Sequence, residues 1–434
     1  MVRSGRLVPG TRLPPSRALA ADLCVARNTV VAAYDQLVAE GWFEARQGAG
    51  TWVAAHAAVP PPSSAPVRQA PLPLSYDLRP GSPDLAAFPR IEWLRAGQRA
   101  FHSAPAGVLG YPDPLGRPEL RAALAVYLAR ARGVDATPDR VIVCSGFAQA
   151  LAVVAAALRA HGVSGVAVEA YAHRGYAATL TAYGLTTAPL DVDANGARCE
   201  ELDEIEAVGA ALFTPAHQFP LGPTLAASRR LGAVEWARAN DAFIVEDDYD
   251  GEFRYDRQPI GAVQALAPER VVYAGTASKS LAPGLRLGWL VLPPSLQEAA
   301  FEAKRLSDGP SSVDQLTMAE FIASGAYDRH IRRARLAYRR RRDHVVAALK
   351  RRLPDAGIGG AAAGLHLVVE LPAGMSEEDA VARGLKRGLA LEGLNNYRLG
   401  KQRHPPALVV GYGTPPEHAF SAALARLCAV LCSD

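Results

Sequence analysis

The sequence has few cysteines, few lysines and no long apolar run, and each shortage excludes a class of protein. Its 434 residues include five scattered cysteines, without the spacing of a metal site. An odd, scattered set of thiols is typical of a reducing compartment rather than of a disulfide-linked secreted domain. No apolar segment is long enough to span a membrane, and the N-terminal residues lack the apolar core of a secretory signal. We therefore expect a cytoplasmic protein of two or three domains.

Lysine is scarce, whereas arginine supplies most of the 47 basic residues. The lysines are Lys279, Lys304, Lys350, Lys386 and Lys401. Because a guanidinium group cannot serve as a nucleophilic amine, a lysine within a chemical motif indicates Schiff-base chemistry. The formal net charge of +4 permits nucleic-acid binding without arguing for it.

Composition changes sharply once, over residues 54–74, where proline, alanine and serine dominate and charge is almost absent. We interpret this stretch as a semi-rigid linker over residues 55–75, between domains at 1–54 and 76–434. The alternative interpretation is a surface loop within one domain.

Before this stretch, helical spacing of apolar residues predicts helices at 16–23 and 27–40, with Ser16 as the first N-cap. The residues expected to share a core are Leu19, Leu23, Val30, Tyr34 and Leu37. Two short helices joined by three residues form a helix-turn-helix pattern. Residues 42–45 and 51–54, separated by glycines, predict a small β-hairpin.

After the linker, apolar runs alternate with helical stretches, which predicts an α/β domain with a mainly parallel sheet covered by helices on both faces. The predicted strands are 141–144, 165–169, 210–214, 243–246, 271–275 and 287–292. This larger part extends over about residues 100–305. A smaller α+β part, 306–434, contains a basic helix at 329–350 and strands at 364–371 and 407–411.

Residues 5–53 resemble the GntR-type winged helix. The resemblance implies that the second helix enters the major groove with Arg27, Asn28 and Thr29, where arginine can bind guanine and asparagine adenine. It also implies DNA contacts from Arg17, Arg46 and Gly48. Outside such a match, Arg27 would be a solvated arginine at a helix start.

Two departures from the GntR pattern affect the expected DNA binding. A full helix precedes this segment in the family, so we expect the first helix to be missing here. Either the true start codon lies elsewhere, or Met1 is the start and DNA binding is weak. Ala26 stands where the family usually has a capping serine, which costs about 1 kcal/mol.

The segment TASKSLAPGLRLGW, around Lys279, and the segment IVEDDYDGEFRY, with Asp247 and Tyr249, are the strongest chemical motifs. They resemble the pyridoxal-phosphate site of fold-type I aminotransferases, and with the N-terminal segment the chain resembles the MocR group of regulators. The resemblance implies that Lys279 forms an internal aldimine, Asp247 pairs with the pyridine nitrogen and Tyr249 donates to the phenolate oxygen.

Further roles follow from the same resemblance. Phosphate contacts are expected from Thr276, Ser278, Arg286 and the helix start at Ser145, Gly146 and Phe147. Tyr111 is expected to reach the phosphate of a partner subunit, which implies a head-to-tail homodimer. His173 is expected to stack on the cofactor ring.

The sequence departs from the aminotransferase pattern around the phenolate oxygen and the substrate carboxylate. Phe219 replaces the asparagine that usually contacts the phenolate, which leaves more of that role to Tyr249, with His217 or Gln218 as further contributors. The late strand ALVVGYG has no arginine, so Arg398, with Arg403 behind it, is the candidate carboxylate ligand. The arginine-rich helix favours a solvated or subunit-interface role over nucleic-acid binding.

These patterns predict a DNA-binding transcriptional regulator that senses an amino compound or pyridoxal phosphate through aldimine chemistry at Lys279. Two alternatives stay open. One is a working aminotransferase whose N-terminal segment no longer binds DNA. The other is a sensor of the cofactor level itself, which differs from the first interpretation only in its effector.

Overall fold

The computed structural model describes residues 1–2, 6–46, 48–55, 74–255, 260–360 and 362–432. It divides into two compact units, residues 1–73 and 74–434. Most of the predicted linker, residues 56–73, lies outside the described residues.

The N-terminal unit contains two helices and a hairpin: α1 (Ser16–Asp22), α2 (Arg27–Ala39), β1 (Phe43–Arg46) and β2 (Gly50–Val53). The strands pair antiparallel, with Phe43 opposite Val53. A small core forms where the hairpin meets α2, and its buried members are Leu13, Phe43, Val53 and Ala54, with Tyr34 and Leu37 of α2 packed against them.

Two predictions for this unit are wrong. Pro15 occupies the N-cap position of α1 and Ser16 is already helical, because proline fixes an extended backbone directly before the helix. Leu23 is 59% exposed rather than in the core, because α1 ends at Asp22 and Leu23 follows it as the C-cap residue.

The helices of the C-terminal unit are α3 (Arg90–Ser103), α4 (Pro118–Arg132), α5 (Phe147–Ala160), α6 (Arg174–Ala182), α7 (Ala227–Ala239), α8 (Gln297–Arg305), α9 (Ser312–Ala323), α10 (Ala326–Arg352), α11 (Glu377–Lys386) and α12 (Glu417–Leu431). Its strands are β3 (Tyr76–Asp77), β4 (Val141–Cys144), β5 (Gly165–Glu169), β6 (Thr186–Leu190), β7 (Val192–Asp193), β8 (Gly196–Ala197), β9 (Ala210–Phe213), β10 (Phe243–Asp248), β11 (Val271–Thr276), β12 (Gly288–Val291), β13 (Ile358–Gly359), β14 (His366–Glu370), β15 (Leu389–Ala390) and β16 (Ala407–Gly411).

Among the described residues, the main sheet has the strand order β4-β12-β11-β10-β9-β5-β6. Strand β12 runs antiparallel to both of its neighbours, and the other pairs are parallel. Alternate residues of β10 face opposite cores: Phe243 and Val245 pack on the side of α5, and Ile244 packs on the side of α7. Helices cover both faces, which confirms the predicted α/β architecture.

The smaller part is built on a three-stranded antiparallel sheet in the order β13-β14-β16. Strand β14 joins a buried cluster that also includes residues of α10 and α12. The basic helix starts at Ala326, three residues before its predicted start. None of the helices that the structure describes combines the length and apolar character needed to cross a bilayer.

Candidate functional site

A cavity of about 710 Å³ lies where β10 and β11 end in the C-terminal unit. Because these strands are parallel neighbours, their carboxyl ends meet at one edge of the sheet, which is where α/β proteins bind ligands. The predicted site residues that line the cavity are Phe147, His173, Asp247, Tyr249, Thr276, Ser278, Lys279 and Arg286.

Lys279 follows β11 and reaches the cavity with its amine. Its Nζ donates a hydrogen bond to the carbonyl oxygen of Gly81. Burial lowers the pKa of Lys279, while the carboxylates of Asp247 and Asp250 act in the opposite direction. Burial therefore favours the neutral amine, which is the nucleophilic form.

Asp247, on β10, is 3% exposed. The Tyr176 hydroxyl donates to its Oδ2, whereas Oδ1 is buried without a hydrogen-bond partner among the described residues. Burial raises the pKa of Asp247 to about 8, against the opposing effect of the Tyr176 hydrogen bond. An unpaired buried carboxylate oxygen fits a ligand that brings its own N–H group, such as the protonated pyridine nitrogen of pyridoxal phosphate.

The start of α5 and the segment after β11 form a concave, donor-rich corner. Gly146 is the N-cap of α5 with φ of 79°, and a Cβ there would lie 3.0 Å from the Arg286 guanidinium. Arg286 itself has φ of 52°, and its Nη2 donates to the carbonyl oxygen of Ser145 at 2.6 Å. Thr276 and Ser278 place their hydroxyl oxygens 2.9 Å apart. A helix N-terminus beside an arginine suits a phosphate dianion.

His173 is the N-cap of α6, and its Nδ1 accepts a hydrogen bond from the Gly175 backbone N–H at 3.1 Å. Burial, followed by the charge of Lys279, lowers the pKa of His173. A neutral imidazole with a fixed ring is suited to stacking on a flat aromatic ligand.

Tyr249 belongs to a buried polar cluster beside the cavity. Its hydroxyl oxygen lies 3.1 Å from Nδ1 of His217, and the same nitrogen lies 2.9 Å from Oδ2 of Asp250. Gln218 does not share this role, because its amide donates to the carbonyl oxygens of Tyr171 and Phe219 at 2.7 and 2.8 Å.

Four predicted site residues do not line the cavity: Ser145, Gly146, Arg398 and Tyr111. Ser145 and Gly146 directly precede the lining residue Phe147, and the Ser145 carbonyl oxygen accepts from Arg286. Arg398 is exposed and does not line the cavity. Tyr111 is fully exposed, with a relative accessibility of 106%, and is also absent from the lining. The roles of Arg398 and Tyr111 stay predictions. The role predicted for Tyr111 also requires a second subunit, because Tyr111 is expected to reach the partner's phosphate.

Several lining residues were not anticipated from the sequence. Tyr176 lies one helical turn after His173, a spacing that places both side chains on one face of α6 and that could have indicated it. Gly81, His366 and Glu392 are distant in sequence from the motifs, and we find no local signal for them. Arg174 directly follows His173, and with Glu392 it places opposite charges in the cavity lining.

In the N-terminal unit, the residues predicted to contact DNA are at the surface. Arg17, in α1, and Arg27, Asn28 and Thr29, in the first turn of α2, are all exposed. Arg46 ends β1, with its guanidinium carbon 5.1 Å from the centroid of the Trp52 ring, and the exposed Gly48 lies in the turn with φ of 74°. A helix N-terminus and a hairpin turn are thus both free to approach a ligand.

Comparison with known proteins agrees with the two-part organisation. Residues 1–53 match the family model of bacterial regulatory proteins of the gntR family, and residues 78–392 match that of aminotransferase class I and II. MocR of Rhizobium meliloti, a rhizopine catabolism regulatory protein, is 35% identical over 95% of this chain and 87% of its own length. The chain belongs to the MocR group of transcriptional regulators.

Other relatives support this membership. The pyridoxine biosynthesis regulator PdxR of Corynebacterium glutamicum is 32% identical over 98% of this chain and 92% of its own length. The kynurenine aminotransferase of Pyrococcus horikoshii matches the structure with a TM-score of 0.73 and 26% identity, over 82% of this chain and 90% of that one. This MocR-group regulator therefore combines a GntR-type DNA-binding domain with an aminotransferase-like fold.

Proposed function

We propose that this regulator binds pyridoxal phosphate at Lys279 and senses an amino compound there. The observation that carries the proposal is the unpaired Oδ1 of buried Asp247 in the cavity that Lys279 lines. When bound, pyridoxal phosphate would supply an aldehyde that condenses reversibly with amines. The product of this condensation absorbs visible light.

Each neighbouring side chain has a role in this proposal. Asp247 accepts the pyridinium N–H and balances its charge, and His173 stacks on the ring. Arg286 pairs with the phosphate beside the free N–H groups of α5. Tyr249 would donate a hydrogen bond to the phenolate oxygen, and Lys279 would hold the cofactor through its amine, which the amine of an effector could replace.

The signal reaches DNA through a two-state equilibrium. Displacement of Lys279 from the cofactor would change the contacts inside the cavity. The protein conformation that the new contacts stabilise would then become more populated. Arg27, Asn28 and Thr29 would read bases, while Arg17, Arg46 and Gly48 would position the domain on the duplex. A head-to-tail homodimer would present two such domains to repeated half-sites. The distance between the two domains would then set the spacing of the half-sites in the operator.

Replacement of Lys279 by alanine tests the cofactor site. The variant should lose the visible absorbance that pyridoxal phosphate acquires on bonding to wild-type protein, because no other lysine lines the cavity among the described residues. Lys401→Ala, at an exposed position, is the matched control and should retain it. Retention of the band by Lys279→Ala would overturn the assignment.

An active aminotransferase is the second candidate, because the same side chains suit amino transfer. Purified protein would be assayed for amino transfer to a keto acid and, in parallel, for a DNA mobility shift. Turnover without a shift would favour the enzyme. A third possibility, suggested by the name of PdxR, is that the cofactor itself is the effector; DNA affinity that responds to pyridoxal phosphate alone would support it.

A further inference from the structure

We infer that His217 and Asp250 form a positioning pair for Tyr249, which holds its hydroxyl so that the proton points at the cofactor. The inference rests on the proposed cofactor site. It concerns two buried residues outside the cavity lining: His217, which the sequence offers only as an alternative contributor at the phenolate oxygen, and Asp250, which has no role above.

The positions of the hydrogen atoms follow from the chemistry of the pair. A carboxylate can only accept, so the 2.9 Å contact with Asp250 Oδ2 puts a hydrogen on Nδ1 of His217. The Tyr249 oxygen, 3.1 Å from that same nitrogen, must then accept from it. The hydroxyl hydrogen of Tyr249 is then left for another acceptor, which is either the Asp250 carboxylate or the phenolate oxygen of the cofactor.

Tyr249 also keeps that hydrogen. Burial, and then the charge of Asp250, raises the pKa of Tyr249 well above its ordinary value, with Tyr176, Asp247 and a hydrogen bond to Asp250 adding to the effect. Tyr249 therefore stays a donor. The Asp250 carboxylate competes for its hydrogen but also accepts from His217, whereas the Phe219 ring, 5.9 Å from the Tyr249 ring, offers no acceptor oxygen or nitrogen.

The surroundings hold the pair tightly. At Gly364, with φ of 69°, an added Cβ would overlap both the His217 ring and the Asp250 carboxylate. On the other side, the His366 ring lies 4.9 Å from the His217 ring and donates from Nε2 to the Pro220 carbonyl oxygen at 3.0 Å. Burial lowers the pKa of His366 well below its ordinary value, so it packs there as a neutral ring.

Burial of His217 and Asp250 costs free energy, because each residue has one buried polar atom that no hydrogen bond within the described residues compensates. His217 Nε2 and Asp250 Oδ1 are buried without hydrogen-bond partners among the described residues. Unsatisfied buried groups are rare, and those that persist call for an explanation. Fixing the Tyr249 hydroxyl supplies one, because a misdirected proton would leave the phenolate oxygen without its donor.

The test is a pH titration of the visible absorbance of the Lys279-bound cofactor. A hydrogen bond to the phenolate oxygen favours the form in which the linking nitrogen has lost its proton, so its loss raises the titration midpoint. We expect Tyr249→Phe and His217→Leu each to raise the midpoint by up to about one pH unit. His217→Asn places an amide N–H near the position of Nδ1 and should recover most of the shift.

The double variant separates positioning from a direct effect. If His217 acts through Tyr249, adding His217→Leu to Tyr249→Phe should produce no further shift. A full additional shift, or an unshifted midpoint in His217→Leu, would overturn the inference. His418→Gln, at an exposed position, is the control and should titrate like wild type.

The experiment also decides the inference if a variant does not fold or if the wild-type protein does not bind the cofactor. If His217→Leu does not fold, Asp250→Asn removes the charge while keeping the shape, and it should also raise the midpoint; an unchanged midpoint would then overturn the inference. If wild-type protein never acquires the band, the proposed cofactor site fails instead, so the two failures are distinguishable.

Discussion

The two units hold their candidate functional residues in different ways. In the N-terminal unit, Arg27 and Asn28 are exposed at the start of a helix, and the backbone alone fixes where they point. In the C-terminal unit, Asp247 accepts a hydrogen bond from buried Tyr176, and Tyr249 contacts His217, which in turn contacts Asp250. Substitutions of the exposed Arg27 and Asn28 should change binding alone, whereas substitutions of the buried Asp247 and its neighbours should change binding and folding together.

Asp247→Asn should have the largest effect. Removing one partner of a buried charge pair costs about 3–5 kcal/mol, so the affinity for pyridoxal phosphate should fall at least roughly 100-fold, since about 1.4 kcal/mol is tenfold. Absorbance titration of the cofactor-free chain measures it. Affinity within threefold of wild type would mean that Asp247 does not pair with the pyridine nitrogen.

The same variant should respond differently in the absence of cofactor. Burial raises the pKa of Asp247 from 3.8 to about 8, so its contribution to folding is present below pH 4 and is lost as the pH rises through about 8. In the wild type, the free energy of unfolding should fall as the pH rises across this window, because the folded state binds one more proton than the unfolded state. Asp247→Asn should remove this one-proton contribution to the slope. Chemical denaturation at a series of pH values measures it, and an unchanged slope would contradict the buried-carboxyl account.

Tyr111→Phe tests whether the site extends across a subunit boundary. Loss of a hydrogen bond to the phosphate should weaken cofactor binding by about 1.5–3 kcal/mol without removing the visible band. Mixing this variant with Lys279→Ala should create heterodimers in which Lys279 of one chain receives Tyr111 from the other, restoring one normal site. Heterodimers that regain no affinity would assign Tyr111 to its own chain or to no site.

Arg27→Ala should act on DNA and leave the fold intact. If Arg27 reads a base, operator affinity should fall by about 1–3 kcal/mol while affinity for random duplex changes little. Fluorescence anisotropy on both duplexes, with a thermal melt beside it, makes the comparison. Equal losses on the two duplexes would reassign Arg27 to a phosphate contact, and a lower melting temperature would contradict the contrast between the units.

Ala26→Ser should have the smallest effect. The N-cap of α2 makes no side-chain hydrogen bond, so a serine hydroxyl there should stabilise the N-terminal unit by about 1 kcal/mol. Operator binding should improve slightly and the cofactor spectrum should not change. Denaturation monitored in the N-terminal unit checks this, and a loss of stability would mean that the cap position is sterically closed.

Much of the fold was predictable because buried strands are continuous apolar runs. The predicted strands 141–144, 165–169 and 407–411 agree with β4, β5 and β16. The edge strand β6 was missed because it contains Pro189 and is largely unburied, features that weaken a strand pattern. Leu23 was misplaced because helical spacing does not reveal where a helix ends.

The site was predictable where its residues belong to motifs that the resemblance could place, including His173 and Phe147 far from Lys279 in sequence. Lys279 and Arg286 share one motif, and Asp247 and Tyr249 share another. By contrast, Gly81 reaches Lys279 across 198 residues, a proximity that only the folded sheet creates. The sequence likewise left His217 and Gln218 as equal candidates, whereas hydrogen bonds separate them: Gln218 binds backbone carbonyls and His217 contacts Tyr249.

The most direct test of the central claim links Lys279 chemistry to DNA affinity. An operator selected from random duplexes would be titrated with cofactor-loaded protein before and after aminooxyacetate, an amine analogue that displaces lysine from the cofactor. We predict that operator affinity changes by about 5–150-fold in wild type and not in Lys279→Ala loaded with the same cofactor. Equal affinity before and after complete spectral displacement, or the same change in Lys279→Ala, would contradict covalent sensing at Lys279.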